Sequence, residues 1–193
     1  MLRLAGDTRE TWITEALNDL PSVLLDHAHC EKKAASTAVS FIFRYPEFPH
    51  IIRPLSELAR EELRHFEQVL TFMERRDIDF VRQIPSTYAK ELMKLCRKDE
   101  PERMLDLMIV ASLIEARSCE RMRILSEALV DVDPKLAQFY RGLLACEARH
   151  HQIYIDLLQP MYDKEIIAKR LAYLAIKEQE IVDNPGPLAR MHS

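Results

Sequence analysis

Apolar residues recur every three or four positions along most of the chain, which is the period of an amphipathic α-helix. Prolines and turn-forming residues separate the periodic stretches. The pattern predicts four long helices, a short helix before them over residues 8–20 and an extra helix after them over 162–182. The long helices are expected at about 21–43, 54–76, 101–130 and from 134 to the break at Pro160.

Three connections separate the predicted long helices. The segment 44–50 contains two prolines and is expected to be a loop, followed by Pro54 in the first turn of the next helix. The long connection 77–100 is expected to contain one short helix. Residues 131–134 end the third long helix and start the fourth.

The composition is typical of one soluble globular domain. The chain has 193 residues, of which 48% are hydrophobic and 30% are charged. Only three glycines occur and no Gly-rich phosphate-binding motif is present, so nucleotide-binding folds are disfavoured. We therefore expect a single domain over residues 1–182 and a loose C-terminal tail over 183–193.

The sequence also indicates the cellular compartment in which the protein is expected. No apolar run is long enough for a signal peptide or a membrane span. The four cysteines form no CxxC pair and lie in predicted helices, so reduced thiols are expected. These features predict a cytoplasmic protein that makes no membrane contact.

A glutamate interrupts the apolar stripe near the middle of each long helix. Burying a carboxylate is costly, so four carboxylates on converging apolar stripes require a shared cation. The second and fourth long helices each add a histidine three residues after the glutamate, on the same helix face. The predicted metal ligands are Glu31, Glu62, His65, Glu115, Glu147 and His150.

The two halves of the chain repeat one ligand order. Glu31 precedes Glu62 by 31 residues, and Glu115 precedes Glu147 by 32. In the second half, about 22 Å of helix separates Glu115 from the end of the third long helix, and about 20 Å separates Pro134 from Glu147. The two glutamates are therefore expected to lie at the same level in the antiparallel pair. In the first half the two helix lengths match less well, and the proline-containing loop is expected to compensate for the difference in length.

This ligand set, one glutamate from each of two helices and an ExxH motif from each of two others, is that of ferritin-like bundles. The oxygen-rich, dinuclear set favours iron over zinc, although manganese uses similar ligands. The predicted fold class is all-α, a ferritin-like four-helix bundle with a crossover connection. Two carboxylate-bridged iron ions are the predicted cofactor.

Residues beside the predicted ligands have less defined roles. His27 lies one turn before Glu31 and is either a partner of that ligand or a core histidine bonded to a carbonyl group. Cys119 lies one turn after Glu115, where packing is the expected role. His151 adjoins a ligand along the chain but is expected to point elsewhere.

Four segments around the predicted ligands resemble the tRNA-(2-methylthio-N6-isopentenyladenosine) hydroxylases, the MiaE family. These segments are DHAHCEKKAASTA (26–38), LAREELRHFEQV (58–69), LIEARSCERM (113–122) and CEARHH (146–151). The resemblance covers nearly the whole chain and implies that the same six residues hold the iron. It also implies an O2-dependent monooxygenase that hydroxylates the isopentenyl group of a hypermodified adenosine next to the tRNA anticodon. An external electron-transfer partner would supply two electrons per turnover.

Other functions share the bare ligand pattern. Iron storage or oxidation of the ferritin kind is one alternative. A rubrerythrin-like peroxidase is another, although such proteins commonly carry a CxxC module that this sequence lacks. A non-enzymatic helical bundle would leave four buried glutamates unexplained.

Contact with RNA phosphates requires basic side chains, and the sequence offers three clusters of them. A solvated helix face explains each cluster more often than RNA binding does, so no substrate-binding residue is identified. The clusters are Arg75–Arg76, then Lys90, Lys94, Arg97 and Lys98, then Lys164, Lys169 and Arg170.

Overall fold

The computed structural model describes residues 2–192, and all regular secondary structure in this range is α-helical. The all-α, ferritin-like fold class predicted from the sequence is confirmed. None of the described helices is long and apolar enough to cross a membrane. The helices are α1 (Thr11–Asn18), α2 (Leu20–Arg44), α3 (Pro49–Glu74), α4 (Tyr88–Lys94), α5 (Glu102–Ala128), α6 (Pro134–Leu158) and α7 (Lys164–Val182).

The chain divides into two compact units. The first-pair unit comprises residues 15–85 and 189–191 and contains α2 and α3. The second-pair unit comprises, within the described range, residues 2–14, 86–188 and 192, and contains α4 to α7. The single-domain organisation of 1–182 stays a prediction.

Helix α3 begins earlier than the sequence indicated. It starts at Pro49, so Pro54 lies inside the helix and the prediction that Pro54 occupies its first turn is wrong. Pro49 takes the first-turn position, where a missing N–H leaves no bond unmade. Pro54 removes one N–H from the helical ladder. The two prolines of 44–50 suggested a longer loop than the four residues 45–48 that join α2 to α3.

The early start makes the antiparallel α2–α3 pair symmetric. Thirteen residues separate Glu31 from the end of α2 at Arg44, and thirteen separate the start of α3 at Pro49 from Glu62. Each span is about 20 Å of helix at about 1.5 Å per residue. The two glutamates therefore come level, and no long loop has to absorb a difference.

The α5–α6 pair repeats this arrangement. Thirteen residues separate Glu115 from the end of α5 at Ala128, and thirteen separate Pro134 from Glu147. The connection over 129–133 is short, so the two helices pack antiparallel. Both helix pairs thus place their glutamates at one and the same distance from the turn.

Aspartate caps define the start of one helix in each pair. The carboxylate of Asp19 accepts a hydrogen bond from the backbone N–H of Ser22 at 3.3 Å, at the start of α2. The carboxylate of Asp133 accepts one from Leu136 at 3.0 Å, at the start of α6. Such a cap stabilises a helix end by about 1 kcal/mol, which helps to set the register of the ligands that follow.

A buried ionic network braces the second-pair unit. Arg117 of α5 is fully buried, and its Nε and Nη2 donate to Glu178 of α7 at 2.8 and 2.7 Å. Its Nη1 donates to Glu120 on the same helix. The hydroxyl of Tyr88 on α4 donates to Glu178 at 2.8 Å. One arginine therefore ties α5 to α7, and Glu178 extends the tie to α4.

A second buried carboxylate lies near the start of α5. Asp106 is fully buried and accepts hydrogen bonds from Arg97 at 2.8 and 3.0 Å and from Arg170 at 2.8 Å. Burial raises the pKa of Asp106, but the hydrogen bonds from both arginines outweigh burial and hold the pKa below its ordinary value. This carboxylate is therefore ionised and joins the connection before α5 to α7.

The last described residues of the chain are held in place. The backbone N–H of Met191 donates to Asp26 at 2.9 Å, and Met191 is fully buried. The ring of His192 stacks on Tyr88 with centroids 4.9 Å apart. At residues 191 and 192 these contacts differ from the loose tail expected over 183–193, of which residue 193 lies outside the described range. A few residues after the last helix carry no periodic pattern, so their anchoring could not be predicted.

Candidate functional site

The first-pair unit brings three predicted ligands together, Glu31 from α2 and Glu62 and His65 from α3. Their potential ligand atoms all lie within 4.8 Å of one another. His65 Nδ1 lies 3.6 Å from Glu31 Oε2 and 3.8 Å from Glu62 Oε2. These distances are too long for hydrogen bonds. They suit two atoms on one ion, because bonds of about 2.1 Å allow up to about 4.2 Å between ligands. We call this group the first half-site.

His27 is in direct contact with the first half-site. Its Nε2 lies 2.5 Å from Glu31 Oε1, so the ring N–H donates to the carboxylate. A hydrogen bond of this kind holds a ligating carboxylate in one orientation. Of the two roles that the sequence left open for His27, the structure therefore favours the partner of Glu31.

The second-pair unit carries the other three predicted ligands. The potential ligand atoms of Glu115 on α5 and His150 on α6 lie within 4.8 Å of each other. Glu147 lies three residues before His150 on α6, so the two share a helix face. We call these three residues the second half-site. All six predicted ligands are buried, with at most 6% of any one residue exposed.

His151 fastens α6 to α5 beside the second half-site. Its Nδ1 lies 2.9 Å from the carbonyl oxygen of Ser112, and the Ser112 hydroxyl donates to the His151 carbonyl oxygen at 2.9 Å. Burial lowers the pKa of His151, so the ring is neutral at neutral pH. The expectation that His151 points elsewhere is confirmed. The paired bonds fix how α6 is rotated against α5, and hence where His150 points.

Cys119 packs between the same two helices. Its thiol lies 3.5 Å from the carbonyl oxygen of Leu144 on α6. Burial, followed by the nearby charge of Glu147, raises the pKa of Cys119 to about 11. The residue is therefore a protonated thiol at neutral pH rather than a thiolate ligand, which agrees with the packing role expected from the sequence.

The chemistry of the two half-sites fits iron. In the first half-site, two carboxylates lie within 4.8 Å of each other in a buried position. Like charges at that separation repel strongly away from water, and a cation between them removes the repulsion. Four carboxylates and two imidazoles form a mostly oxygen set, which suits iron or manganese better than zinc.

The sequence reasoning missed the buried carboxylates outside the half-sites. Glu178 lies among the apolar positions of α7, between Leu174 and Val182. This is the same signal that identified the predicted ligands, yet the cation beside Glu178 is Arg117. An interrupted apolar stripe therefore indicates a buried carboxylate, and only the tertiary contacts show which cation compensates it.

Comparisons with known proteins identify the family to which this chain is similar. The family described as tRNA-(MS[2]IO[6]A)-hydroxylase (MiaE) matches residues 2–193. A Pseudomonas putida protein named tRNA 2-(methylsulfanyl)-N(6)-isopentenyladenosine(37) hydroxylase is 42% identical over 190 residues, covering 98% of this chain and 91% of that protein. A Salmonella typhimurium protein of the same name is 32% identical over 235 residues, covering 96% of this chain and 86% of its own length.

A solved structure has the same fold. Protein 43 from Synechococcus, described as having aldehyde deformylating oxygenase activity, aligns with a TM-score of 0.92 and 45% sequence identity. The alignment covers 98% of this chain and 95% of that one. With a family match across residues 2–193 and two relatives above 30% identity, the chain belongs to the tRNA-(MS[2]IO[6]A)-hydroxylase (MiaE) family.

Proposed function

We propose that the protein is an O2-dependent di-iron monooxygenase acting on tRNA. It hydroxylates the isopentenyl group of 2-methylthio-N6-isopentenyladenosine next to the anticodon. The observation that carries the proposal is the duplicated half-site, with a buried Glu and a buried ExxH motif in each helix pair at matching register. The family description and the names of two relatives supply the substrate class.

The six buried side chains of the two half-sites would hold two iron ions. The ligands are Glu31, Glu62, His65, Glu115, Glu147 and His150. When bound, iron would supply the activation of O2 that organic side chains cannot provide. His27 would hold the Glu31 carboxylate in its ligating orientation through the 2.5 Å contact. The Ser112–His151 bonds would orient His150.

The stoichiometry of the reaction requires a partner. Conversion of a C–H bond to C–OH with one O2 consumes two electrons and two protons and releases one water. No side chain of the half-sites is a two-electron donor, because carboxylates and imidazoles are not oxidised in such reactions. An external electron-transfer protein therefore completes the cycle. A tRNA substrate also implies that the protein works in the cytoplasm.

Mass spectrometry of tRNA nucleosides tests the proposed substrate. The iron-loaded protein, O2 and a chemical reductant are incubated with tRNA that carries the 2-methylthio-isopentenyl nucleoside. We expect a gain of one oxygen on that nucleoside and bound iron close to two ions per chain. An unchanged nucleoside would refute the tRNA activity. Uptake of many irons per chain would instead indicate storage of the ferritin kind.

One observation favours a second candidate function. The Synechococcus protein, at 45% identity, is described as an aldehyde deformylating oxygenase, and oxygen chemistry on an aldehyde would use the same half-sites. The same iron-loaded preparation should be incubated with aldehydes in place of tRNA. Turnover of the aldehyde at a rate above that of the tRNA nucleoside would replace the first proposal by the second.

A further inference from the structure

Large apolar side chains are exposed on the connection that follows α3. Phe80, Val81 and Ile84 are 41%, 53% and 73% exposed, although such residues usually lie in the core. The segment 78–85 contains no helix. Three exposed apolar residues within five positions make this segment a candidate for contact with another molecule.

The segment is nevertheless held in a definite position against α2. His29 Nε2 donates to the carbonyl oxygen of Val81 at 2.8 Å, and Gln83 Nε2 donates to that of Ser22 at 2.9 Å. His29 Nδ1 accepts from the Lys32 ammonium group at 3.0 Å, which requires the ring proton on Nε2. A partner that binds here does not have to order the segment first, and this lowers the entropic cost of binding.

The ring of Phe80 is oriented by its neighbours. Its centroid lies 5.3 Å from that of Phe66 on α3, edge to face, and 4.7 Å from that of His29. The Lys32 ammonium group lies 5.1 Å from the same centroid. An oriented and partly exposed aromatic ring beside a cation is the arrangement on which unpaired nucleobases stack.

Lys32 brings positive charge to this ring, and Lys33 and Arg82 lie close along the chain to Lys32 and Phe80. Lys32, Lys33 and Arg82 are exposed, and no carboxylate of residues 2–192 lies at ion-pair distance from any of them. Asp79 is the one acidic residue of segment 78–85. We call Phe80 with Lys32, Lys33 and Arg82 the Phe80 surface. Its net positive charge and exposed ring complement a single-stranded polyanion.

Three cations of the basic clusters noted in the sequence are less suited to phosphate. Arg97 and Arg170 both bind the buried Asp106, and Lys94 pairs with Glu91 at 2.7 Å. These cations already have carboxylate partners. A phosphate would have to displace those partners, whereas at the Phe80 surface it would not.

We propose that the Phe80 surface binds a single-stranded nucleotide of the RNA substrate, with the ring stacking on a base and the cations contacting phosphates. Lys32 follows Glu31 on α2, and Phe66 follows His65 on α3, so the surface lies level with the first half-site along both helices. It would thus hold nucleotides that flank the modified base. This inference rests on the proposed tRNA substrate.

Charge reversal tests the inference directly. The iron-loaded protein is titrated into a fluorescently labelled anticodon stem-loop RNA and binding is followed by anisotropy at several salt concentrations. For Lys32→Glu with Arg82→Glu, we expect affinity to fall about tenfold or more, and the salt slope to fall by about 1.4 for two lost phosphate contacts. The matched control, Lys135→Glu with Arg141→Glu, makes the same charge change at exposed positions of the second-pair unit outside the basic clusters and should bind within about twofold of wild type.

A second pair of variants isolates stacking from charge. Phe80→Leu keeps an apolar side chain against Phe66 but removes the ring, and should weaken binding by about 5- to 150-fold. Phe80→Tyr keeps the ring and should bind like the parent protein. Thermal unfolding of each variant shows that it is folded before binding is measured.

Several outcomes would overturn the inference. Wild-type affinity and salt slope in both the charge-reversal and the Phe80→Leu variants would place RNA elsewhere. A wild-type dimer that dissociates in the charge-reversal variant would mean that a second copy covers the surface. If the variants still lost RNA binding while the parent protein failed to hydroxylate the nucleoside, the surface would stand and the proposed function would fall.

Discussion

The two helix pairs carry the same half-site but support it by different means. In both pairs, thirteen residues separate each glutamate from the turn. In α5, 20 of 27 residues are buried, against 10 of 25 in α2. Helix α5 contacts α4, α6 and α7 within its unit, whereas α2 packs on α3. The ligand pattern is therefore repeated while its surroundings are not.

The two units differ in where the partner of a buried charged group comes from. Around α5, Arg117 and Glu178 form a fully buried ion pair that joins helices far apart in sequence. Around α2, the local partner of the ligand Glu31 is His27, one turn away on the same helix. Support of the second half-site therefore depends on tertiary contacts, and support of the first depends more on its own helix.

Loss of one ligand from each pair should have the largest effect. Glu31→Ala and Glu115→Ala each remove a carboxylate of the proposed site, so both should reduce hydroxylation to background and lower bound iron below two ions per chain. Metal analysis of purified protein and nucleoside mass spectrometry provide the measurements. Glu127→Ala, an exposed glutamate on α5, serves as the control and should retain both. Full turnover in either ligand variant would contradict the six-ligand assignment.

Removing the buried Arg117 should destabilise the protein far more than removing an exposed arginine of the same helix. Arg117→Leu leaves Glu178 and Glu120 buried without their cation, which should cost about 3–5 kcal/mol in urea unfolding. Arg123→Leu breaks an exposed pair with Glu127 on the same helix and should cost less than about 1 kcal/mol. Equal losses in both variants would show that the buried network does not brace α5.

Asp106 should give the second-pair unit an acid-sensitive contribution to stability. Because its pKa is lowered in the folded state, the stabilisation is present above the unfolded pKa of about 3.9 and is lost as pH falls through the folded pKa. Asp106→Asn should cost about 2–3 kcal/mol at pH 7. It should also flatten the dependence of unfolding free energy on pH below about 4. Parallel pH curves for the two proteins would refute this.

Loss of His27, the partner of the predicted ligand Glu31 on the same helix, should have the smallest effect. His27→Gln removes the imidazole that contacts Glu31 and should lower iron affinity about 10- to 100-fold. The stoichiometry at saturating iron should stay at two ions per chain, because all ligands remain. Competition with a chelator measures the affinity. An unchanged affinity would assign His27 the other role that its position allowed, that of a core histidine bonded to a carbonyl group.

The sequence alone determined most of the half-sites. Apolar periodicity placed seven helical segments, and the glutamates that interrupt it, with two ExxH motifs, identified six residues that are all buried. These features are readable because helical periodicity and the cost of burying a carboxylate both act over a few turns of one helix. The same locality explains the error at α3, since either Pro49 or Pro54 can start a helix by local rules.

Only the tertiary structure decided how the buried charges are compensated. Glu178 interrupts an apolar stripe as the ligands do, yet its partner Arg117 is 61 residues away along the chain. The anchoring of Met191 on Asp26 spans 165 residues, and the orientation of Phe80 depends on rings of both α2 and α3. Such contacts depend on which surfaces meet after folding. No pattern within one helix or loop specifies them, because the partners of each group come from distant parts of the chain.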